Sequence, residues 1–311
     1  MIPRPEEARA QADAGAAGSI LPLVLARTED APAREGLVVT QVNGLHFARA
    51  DAPTGYLHAI YVPLLCLVLQ GSKEVASGAE AWRFHAGQTL LVSADTPIQG
   101  RVVEASGGAP YLAVSLDLDL GLLRDTLGEI SAFAGVPDTP GPRILVSETD
   151  AAVADCIRRL VTLPERADAQ AVLRPALLKE LHYWLLQGRH GAMLRRLARP
   201  EGHAQRIARA VAVLRADFAT PLPVRRLAEA AGMSPSAFHQ HFKAVTSLTP
   251  LQFQKQLRLI EARHRLMAGG MAVSSAAFDV GYESVSQFSR DYSRMFGASP
   301  RQDLAALRQA A

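Results

Sequence analysis

The chain has 311 residues, enough for two domains of ordinary size, and 49% hydrophobic with 20% charged residues describes a folded chain and excludes disorder. No apolar stretch approaches the roughly 20 residues needed to cross a bilayer. The net charge of +3 hides an asymmetry: from His203 onward there are 14 Lys and Arg against 7 Asp and Glu, a net of +7, whereas the preceding residues hold 19 against 23, a net of −4. A basic C-terminal third on a mildly acidic body points to a polyanion-binding module joined to something else, with a merely solubilising surface as the other reading.

The N-terminus (MIPRPEEARAQADAGAAGS) carries acids and has no apolar h-region, so it reads as a loose Ala-rich tail over residues 1–18 and not as a secretory signal. From about Gly36 to Leu118, short apolar runs such as GLVVTQV, YLHAIYVPLLCLVLQG, AWRFHAGQTLLVSADTP and APYLAVSLDL are punctuated by Gly, Pro, Asn and Asp. This pattern predicts a compact antiparallel β sandwich or barrel. After Asp119 the apolar spacing changes to three and four, predicting helices in LGLLRDTLGEISAFAG, ETDAAVADCIRRLVTLP and ADAQAVLRPALLKELHYWLLQG. In the last, Leu173, Leu177, Leu181, Trp184 and Leu185 form a broad stripe that suits packing on the β domain, a helix pair between two protomers, or both. Cys66 and Cys156 fit no CxxC or Cys/His metal spacing and suit buried thiols in a reducing cytoplasm; a redox role for Cys66 is the lesser reading.

A polar, Arg-rich joint follows, QGRHGAMLRRLARPEGH, so residues 19–190 are expected to form the first domain, 191–202 a linker and 203–311 a second, helical domain. Within that second domain the sequence repeats. AEAAGMSPSAFHQHFKAVTSLTP and AAFDVGYESVSQFSRDYSRMFGASP align Ser234 with Ser284, Phe238 with Phe288, Phe242 with Tyr292 and Pro250 with Pro300 at an offset of 50. Gly232 and Gly281 align at 49, which leaves one extra residue in the second turn.

Each copy has the logic of a helix-turn-helix. An Ala-rich helix permits close approach, a Gly takes the left-handed C-terminal position, and a Ser caps the next helix, with Pro235 at its first turn. Aromatics four apart hold that helix on the core while its first turn stays polar, where DNA-reading helices place base contacts. A single copy would read as a plain α hairpin; two in register within the basic region favour a bipartite reader. The connecting segment from Pro250 to Ala268 spans about 28 Å as helix, near the roughly 34 Å between successive major-groove openings. Within it, Arg258 is expected to make internal contacts, and Lys255, Arg263 and Arg265 to divide between phosphate and solvent.

These motifs, LAEAAGMSPSAFHQHFKAVTSLTPLQFQKQLRLIEARHRLM followed by SSAAFDVGYESVSQFSRDYSRMFGASPRQDLAALR, resemble the DNA-binding domain of AraC/XylS-type transcriptional regulators over about Gln205 to Arg308. Upstream, YVPLLCLVLQGSKEV and SADTPIQGRVV resemble the N-terminal domain of one branch of that family over roughly residues 36–190. The resemblance implies an α+β chain: a cupin-like β-barrel with an effector pocket and a helical dimerisation segment, then an all-α domain with two helix-turn-helix motifs. It places base reading at Ser236, His239 and Gln240 in the first motif and at Val285, Ser286, Ser289 and Arg290 in the second. Gln pairs with adenine, and Arg290 suits guanine or, failing that, a phosphate; Val285 suits a thymine methyl, the other reading being that the second motif mainly grips the DNA backbone. Lys243, Arg294 and Arg225 or Arg226 are the phosphate candidates.

The chain is thus expected to be a cytoplasmic, non-catalytic regulator that binds double-stranded promoter DNA as a homodimer. It would answer a small-molecule effector and contact RNA polymerase, with no cofactor and no membrane. Tyr56, Tyr61, Trp82 and His85 are available to line an effector pocket or to serve as ordinary core, and no effector-binding residue is assigned. Two alternatives stand beside this: an effector-independent dimeric DNA binder, and a metal-dependent cupin enzyme fused to a DNA-targeting module. Against the enzyme, His46, His58 and His85 stand singly, and His239 and His241 point about 200° apart on a helix, so they do not chelate one ion. Neither a GxSxG, a P-loop nor a dinucleotide fingerprint occurs.

Overall fold

The computed structural model describes residues 18–31, 33–34, 37–42, 44–130, 141–163, 166–199 and 202–310. The tail expected over residues 1–18 lies outside these, apart from Gly18. Two compact units divide the chain, one built mainly from residues before His203 and the other from His203 onward.

The first unit is β-rich. Its strands are β1 (Ala33–Arg34), β2 (Leu37–Val42), β3 (Leu45–Ala50), β4 (Leu57–Tyr61), β5 (Leu64–Gln70), β6 (Ser72–Ser77), β7 (Glu80–His85), β8 (Gln88–Val92), β9 (Thr96–Glu104), β10 (Tyr111–Asp117) and β11 (Ile144–Glu148). They form a seven-stranded sheet in the order β1-β2-β3-β10-β5-β8-β11 and a four-stranded sheet in the order β4-β9-β6-β7. The expected β domain is present, but its two antiparallel sheets do not close into a single barrel. Central β5 lies between β10 and β8 and is covered on both faces, which is why LLCLVL reads as an unbroken apolar run. β7 ends the smaller sheet and exposes Glu80, Arg83 and His85, the charged dress of an edge strand.

Helices α1 (Leu21–Thr28), α2 (Leu120–Glu129), α3 (Ala151–Val161), α4 (Ala167–Gln187) and α5 (Gly191–Ala198) accompany the sheets. Asp119 caps α2 by accepting from the Leu122 N–H at 2.9 Å. Arg159 ties α3 to α4 through Glu180 at 2.7 Å. The stripe on α4 divides: Leu181 and Leu185 are buried, whereas Leu173 and Trp184 stay exposed beside Val172 and Tyr183. Three local differences from expectation appear. β11 lies between two stretches read as helices, where no element was assigned, because Ile144, Leu145 and Val146 pair with Val92, Leu91 and Leu90 at the sheet edge. α1 lies where no element was assigned. The expected linker carries α5, whose Met193, Leu194, Leu197 and Ala198 are buried.

The second unit is all-α: α6 (His203–Ala216), α7 (Val224–Ala231), α8 (Pro235–Thr246), α9 (Pro250–Met267), α10 (Val273–Asp279), α11 (Val285–Phe296) and α12 (Pro300–Ala310). It contains two small cores. The first gathers Ile207, Val211 and Leu214 of α6, Leu227 and Ala231 of α7, Phe238 and Phe242 of α8, and Phe253 of α9. The second gathers Leu259, Ala262 and Leu266 of α9, Ala276 and Ala277 of α10, and Phe288 and Tyr292 of α11. Each buried aromatic or leucine contributes about 2–3 kcal/mol by leaving water. Helix α9 serves both cores and joins them over 18 residues, about 27 Å.

Candidate nucleic-acid interface

The repeat in the sequence is a repeat of structure. In the first copy the Gly232 N–H bonds to the Glu229 carbonyl and the Met233 N–H to the Ala228 carbonyl; in the second, Gly281 bonds to Phe278 and Tyr282 to Ala277. Both are Schellman turns, with Gly232 at φ +61° and Gly281 at φ +87° supplying the left-handed residue. Ser234 and Ser284 then accept from the N–H groups of Ala237 and Gln287, opening α8 and α11. The extra residue of the second copy lies between Gly281 and Ser284, where Tyr282 is buried against Phe288 with ring centroids 5.3 Å apart.

The prolines that close the two sequence units also open the next helices. Thr249 and Gln252 form a capping box at the start of α9, and Ser299 and Gln302 make the same reciprocal bonds at the start of α12. Position 250 and its counterpart 300 follow these caps directly, so the offset of 50 extends through the caps as well as the aromatics.

On α8, Ser236, His239, Gln240 and Lys243 are exposed and fall at helical spacing on one side, opposite buried Phe238 and Phe242. On α11, Ser286, Arg290 and Arg294 are exposed and Ser289 is half-buried beside them, while Phe288 and Tyr292 face the core. Val285 packs partly against the second core, which limits its reach outward. Gln287, exposed in the first turn of α11, belongs to this polar surface and was not singled out from sequence; its position three residues after the cap was the available signal. His241 turns away from the exposed row, stacked on His203 with ring centroids 3.7 Å apart.

The cations sort into two groups. Lys243 and Arg290 form no ion pair among the described residues, and Arg294 touches Asp291 at only 3.6 Å while largely exposed. Arg225 is exposed and pairs with Glu229, and Arg226 with Asp217. The connecting helix behaves differently. Arg258 donates to the carbonyls of Phe218, Ala219, Thr220 and Gly281, the internal role expected of it. Lys255 pairs with Asp291 at 3.1 Å, Arg263 with Asp303 at 2.8 Å and Arg265 with Glu261 at 2.7 Å, so the division expected for them between phosphate and solvent gives way to internal ion pairs. Asp303 also accepts from the Tyr292 hydroxyl at 2.6 Å, knitting α9, α11 and α12 together.

In the β unit the four aromatic and histidine candidates separate. Tyr56 is exposed, bonds Glu74 at 2.8 Å and lies under the Arg101 guanidinium. His85 is exposed and Trp82 half-buried, while Tyr61 receives a hydrogen bond from Lys73. Cys66 is buried and burial pushes its thiol up to about 11, the opposite of a reactive thiolate. Among the described residues no three His, Cys, Asp or Glu side chains are grouped to hold a metal, and no helix is long and apolar enough to cross a membrane.

Two helix-turn-helix units sharing one long helix, each leaving a polar stripe outward, define a helix-turn-helix DNA-binding fold in a chain that also carries a two-sheet domain. The chain belongs to the AraC/XylS-type transcriptional regulators: residues 41–193 match the AraC-type transcriptional regulator N-terminus and residues 227–306 the helix-turn-helix domain. It is similar to the virulence regulon transcriptional activator VirF of Yersinia enterocolitica, 27% identical over 53% of this chain and 60% of that protein. It is also similar to the HTH-type transcriptional activator RhaS of Enterobacter sp. (strain 638), 30% identical over 47% of this chain and 52% of that one. The match thus spans between about half and 60% of the length of these relatives. Among solved structures, ToxT from Vibrio cholerae with a bound unsaturated fatty acid shares the fold, with a TM-score of 0.58 at 9% identity over 88% of this chain and 96% of that one.

Proposed function

We propose that this protein is a non-catalytic, sequence-specific DNA-binding regulator of transcription, located in the cytoplasm. The observation that carries the reading is the duplicated polar stripe: Ser236, His239 and Gln240 on α8, and Ser286, Ser289 and Arg290 on α11, each directly after a Ser cap. In this reading Gln240 and Arg290 read base edges, Val285 touches a thymine methyl only with the part of its side chain left outside the second core, and Lys243, Arg294 and Arg225 hold phosphates. Footprinting on the DNA upstream of its own gene and the neighbouring genes tests it. Protection over two successive major grooves per protomer is the expected result, and uniform, sequence-independent protection would defeat the reading.

The β unit takes the role of sensor and dimerisation module. Support for a sensor comes from the likeness in fold to ToxT, solved with a fatty acid; support for a homodimer comes from the apolar side chains that α4 leaves in water, with Trp184 and Tyr183 each 38% exposed and Leu173 48%. Effector binding would shift how the two DNA-binding units are presented to promoter and polymerase.

A further inference from the structure

Four of the 33 basic residues of the chain are lysines: Lys73, Lys179, Lys243 and Lys255. The rest are arginines, whose guanidinium stays charged, whereas a lysine amine can be acylated and then loses its charge. Three of the four lysines are engaged. Lys73 is buried on β6 and donates to the Tyr61 hydroxyl at 3.1 Å. Lys179 of α4 holds Glu129 of α2 at 2.8 Å, and Lys255 of α9 holds Asp291 of α11 at 3.1 Å.

Lys243 differs. It is exposed on α8, and among the described residues no side chain pairs with its ammonium. Acylation at Lys179 or Lys255 must first break an ion pair, and at Lys73 it must reach into the core; at Lys243 it breaks nothing. His239 stands one turn before it in the same exposed row, and residues four apart on a helix are neighbours, with Cβ atoms about 5–6 Å apart. An imidazole there can take a proton from the ammonium, the step that turns it into a nucleophile. His241 does not share this place, since it is stacked on His203.

The surroundings also suit an anionic acyl donor. From His203 onward, 14 Lys and Arg stand against 7 Asp and Glu, a net of +7, which concentrates small phosphate anions near this unit. Among the phosphate candidates Lys243, Arg294 and Arg225, Lys243 is the one whose charge acylation can remove.

We propose that Lys243 is an acylation site, modified at Nζ by a small acyl phosphate, and that the modification lowers affinity for all DNA sequences alike. His239 takes one proton from the ammonium, and the freed electron pair of the amine attacks the acyl carbonyl carbon. The new C–N bond forms and the C–O bond to phosphate breaks. Phosphate leaves with that electron pair and takes the second nitrogen proton, while His239 returns its own to water. The product is a neutral amide, which no longer neutralises a DNA phosphate. This rests on the reading of Lys243 as a phosphate contact and names a way in which that contact is regulated.

The test treats the full chain, without DNA, with acetyl phosphate and follows each lysine by mass spectrometry of its peptides. Lys243 is expected to be acetylated several-fold faster than Lys179 or Lys255, with Lys73 unmodified in the folded protein. His239→Ala should slow acetylation of Lys243 several-fold and leave that of Lys179 as it was. In fluorescence anisotropy the acetylated parent should bind every sequence more weakly, with the salt slope reduced by about one. A Lys243→Arg protein given the same treatment should keep its affinity. Lys179 or Lys255 reacting as fast as Lys243, or a His239→Ala protein acetylated at the parent's rate, would overturn the proposal. So would an acetylated parent that binds DNA as before, or a treated Lys243→Arg protein that loses affinity as the parent does. The acetylation map is read without DNA and footprinting with untreated protein, so loss of the regulator reading and loss of the acylation site are distinguishable.

Discussion

Arg258 donates a hydrogen bond to the carbonyl oxygen of Gly281 at 2.8 Å, and its guanidinium also reaches the carbonyls of Phe218, Ala219 and Thr220. One side chain on the connecting helix therefore fixes the second turn against the segment that follows α6. A Cβ at Gly281 would collide with the Ala219 carbonyl oxygen and would have to adopt φ +87°. At Gly232, its counterpart, the nearest atom to such a Cβ is Arg206 Nη2 at 3.5 Å, an ordinary contact. Gly281→Ala is expected to destabilise the protein by about 3 kcal/mol or more, and Gly232→Ala by only about 1 kcal/mol, the left-handed penalty alone. Urea unfolding of the two variants checks the difference.

The same repeat contains a natural comparison at its C-caps. Ser247 ends α8 at φ 65°, and Gly297 ends α11 at φ 78°. Serine carries the steric cost of a left-handed residue and glycine does not. Ser247→Gly should stabilise by about 0.5–1 kcal/mol, and Gly297→Ser should destabilise by a similar amount. Opposite shifts in Tm are the result to look for.

On DNA, the proposed roles separate by salt. Gln240→Ala and Arg290→Ala should each weaken a specific site by about 1–3 kcal/mol and relax preference at one base position. Lys243→Ala and Arg294→Ala should weaken all sequences alike and each reduce the salt slope by about one. Fluorescence anisotropy at several salt concentrations distinguishes the two patterns; a Gln240→Ala and Arg290→Ala pair that left site affinity untouched would remove the assigned reading faces.

The exposed side of α4 has a direct consequence for assembly. Replacing Trp184 and Leu173 together with Glu leaves buried Leu181 and Leu185 in place. It should shift the protein to monomer in sedimentation experiments, with thermal stability at low concentration little changed.

Stability should fall in mild acid. Burial holds His182 and His190 below the ordinary histidine value of 6.5. Their folded forms are neutral while the unfolded chain takes up protons, so stability is present above about pH 6.5 and is lost as pH drops from there toward the lowered folded values. Each contributes at most about 1.4 kcal/mol per pH unit across that window. His182 donates from Nδ1 to the Leu178 carbonyl and leaves Nε2 without a partner among the described residues, so His182→Gln should flatten the dependence of Tm between pH 7 and pH 5.

Sequence alone determined the helical unit almost entirely. Its determinants are local: a Gly for a left-handed turn, a Ser cap, aromatics four apart and a copy 50 residues away, all of which act within a few residues of chain. The exposed rows on α8 and α11 follow from the same periodicity once Phe238, Phe242, Phe288 and Tyr292 are placed inside. What tertiary structure decided depends on partners distant in sequence. Sequence divided Lys255, Arg263 and Arg265 between phosphate and solvent, and only the approach of α11 and α12 to α9 brings Asp291 and Asp303 to the first two. The strands were legible as strands, yet not their assignment to two sheets, because alternation specifies a face and not a neighbour. Lys73 shows this plainly: its burial on β6, opposite Phe84 and close to Gly100, follows from the pairing of β6 with β7 and the neighbouring β9.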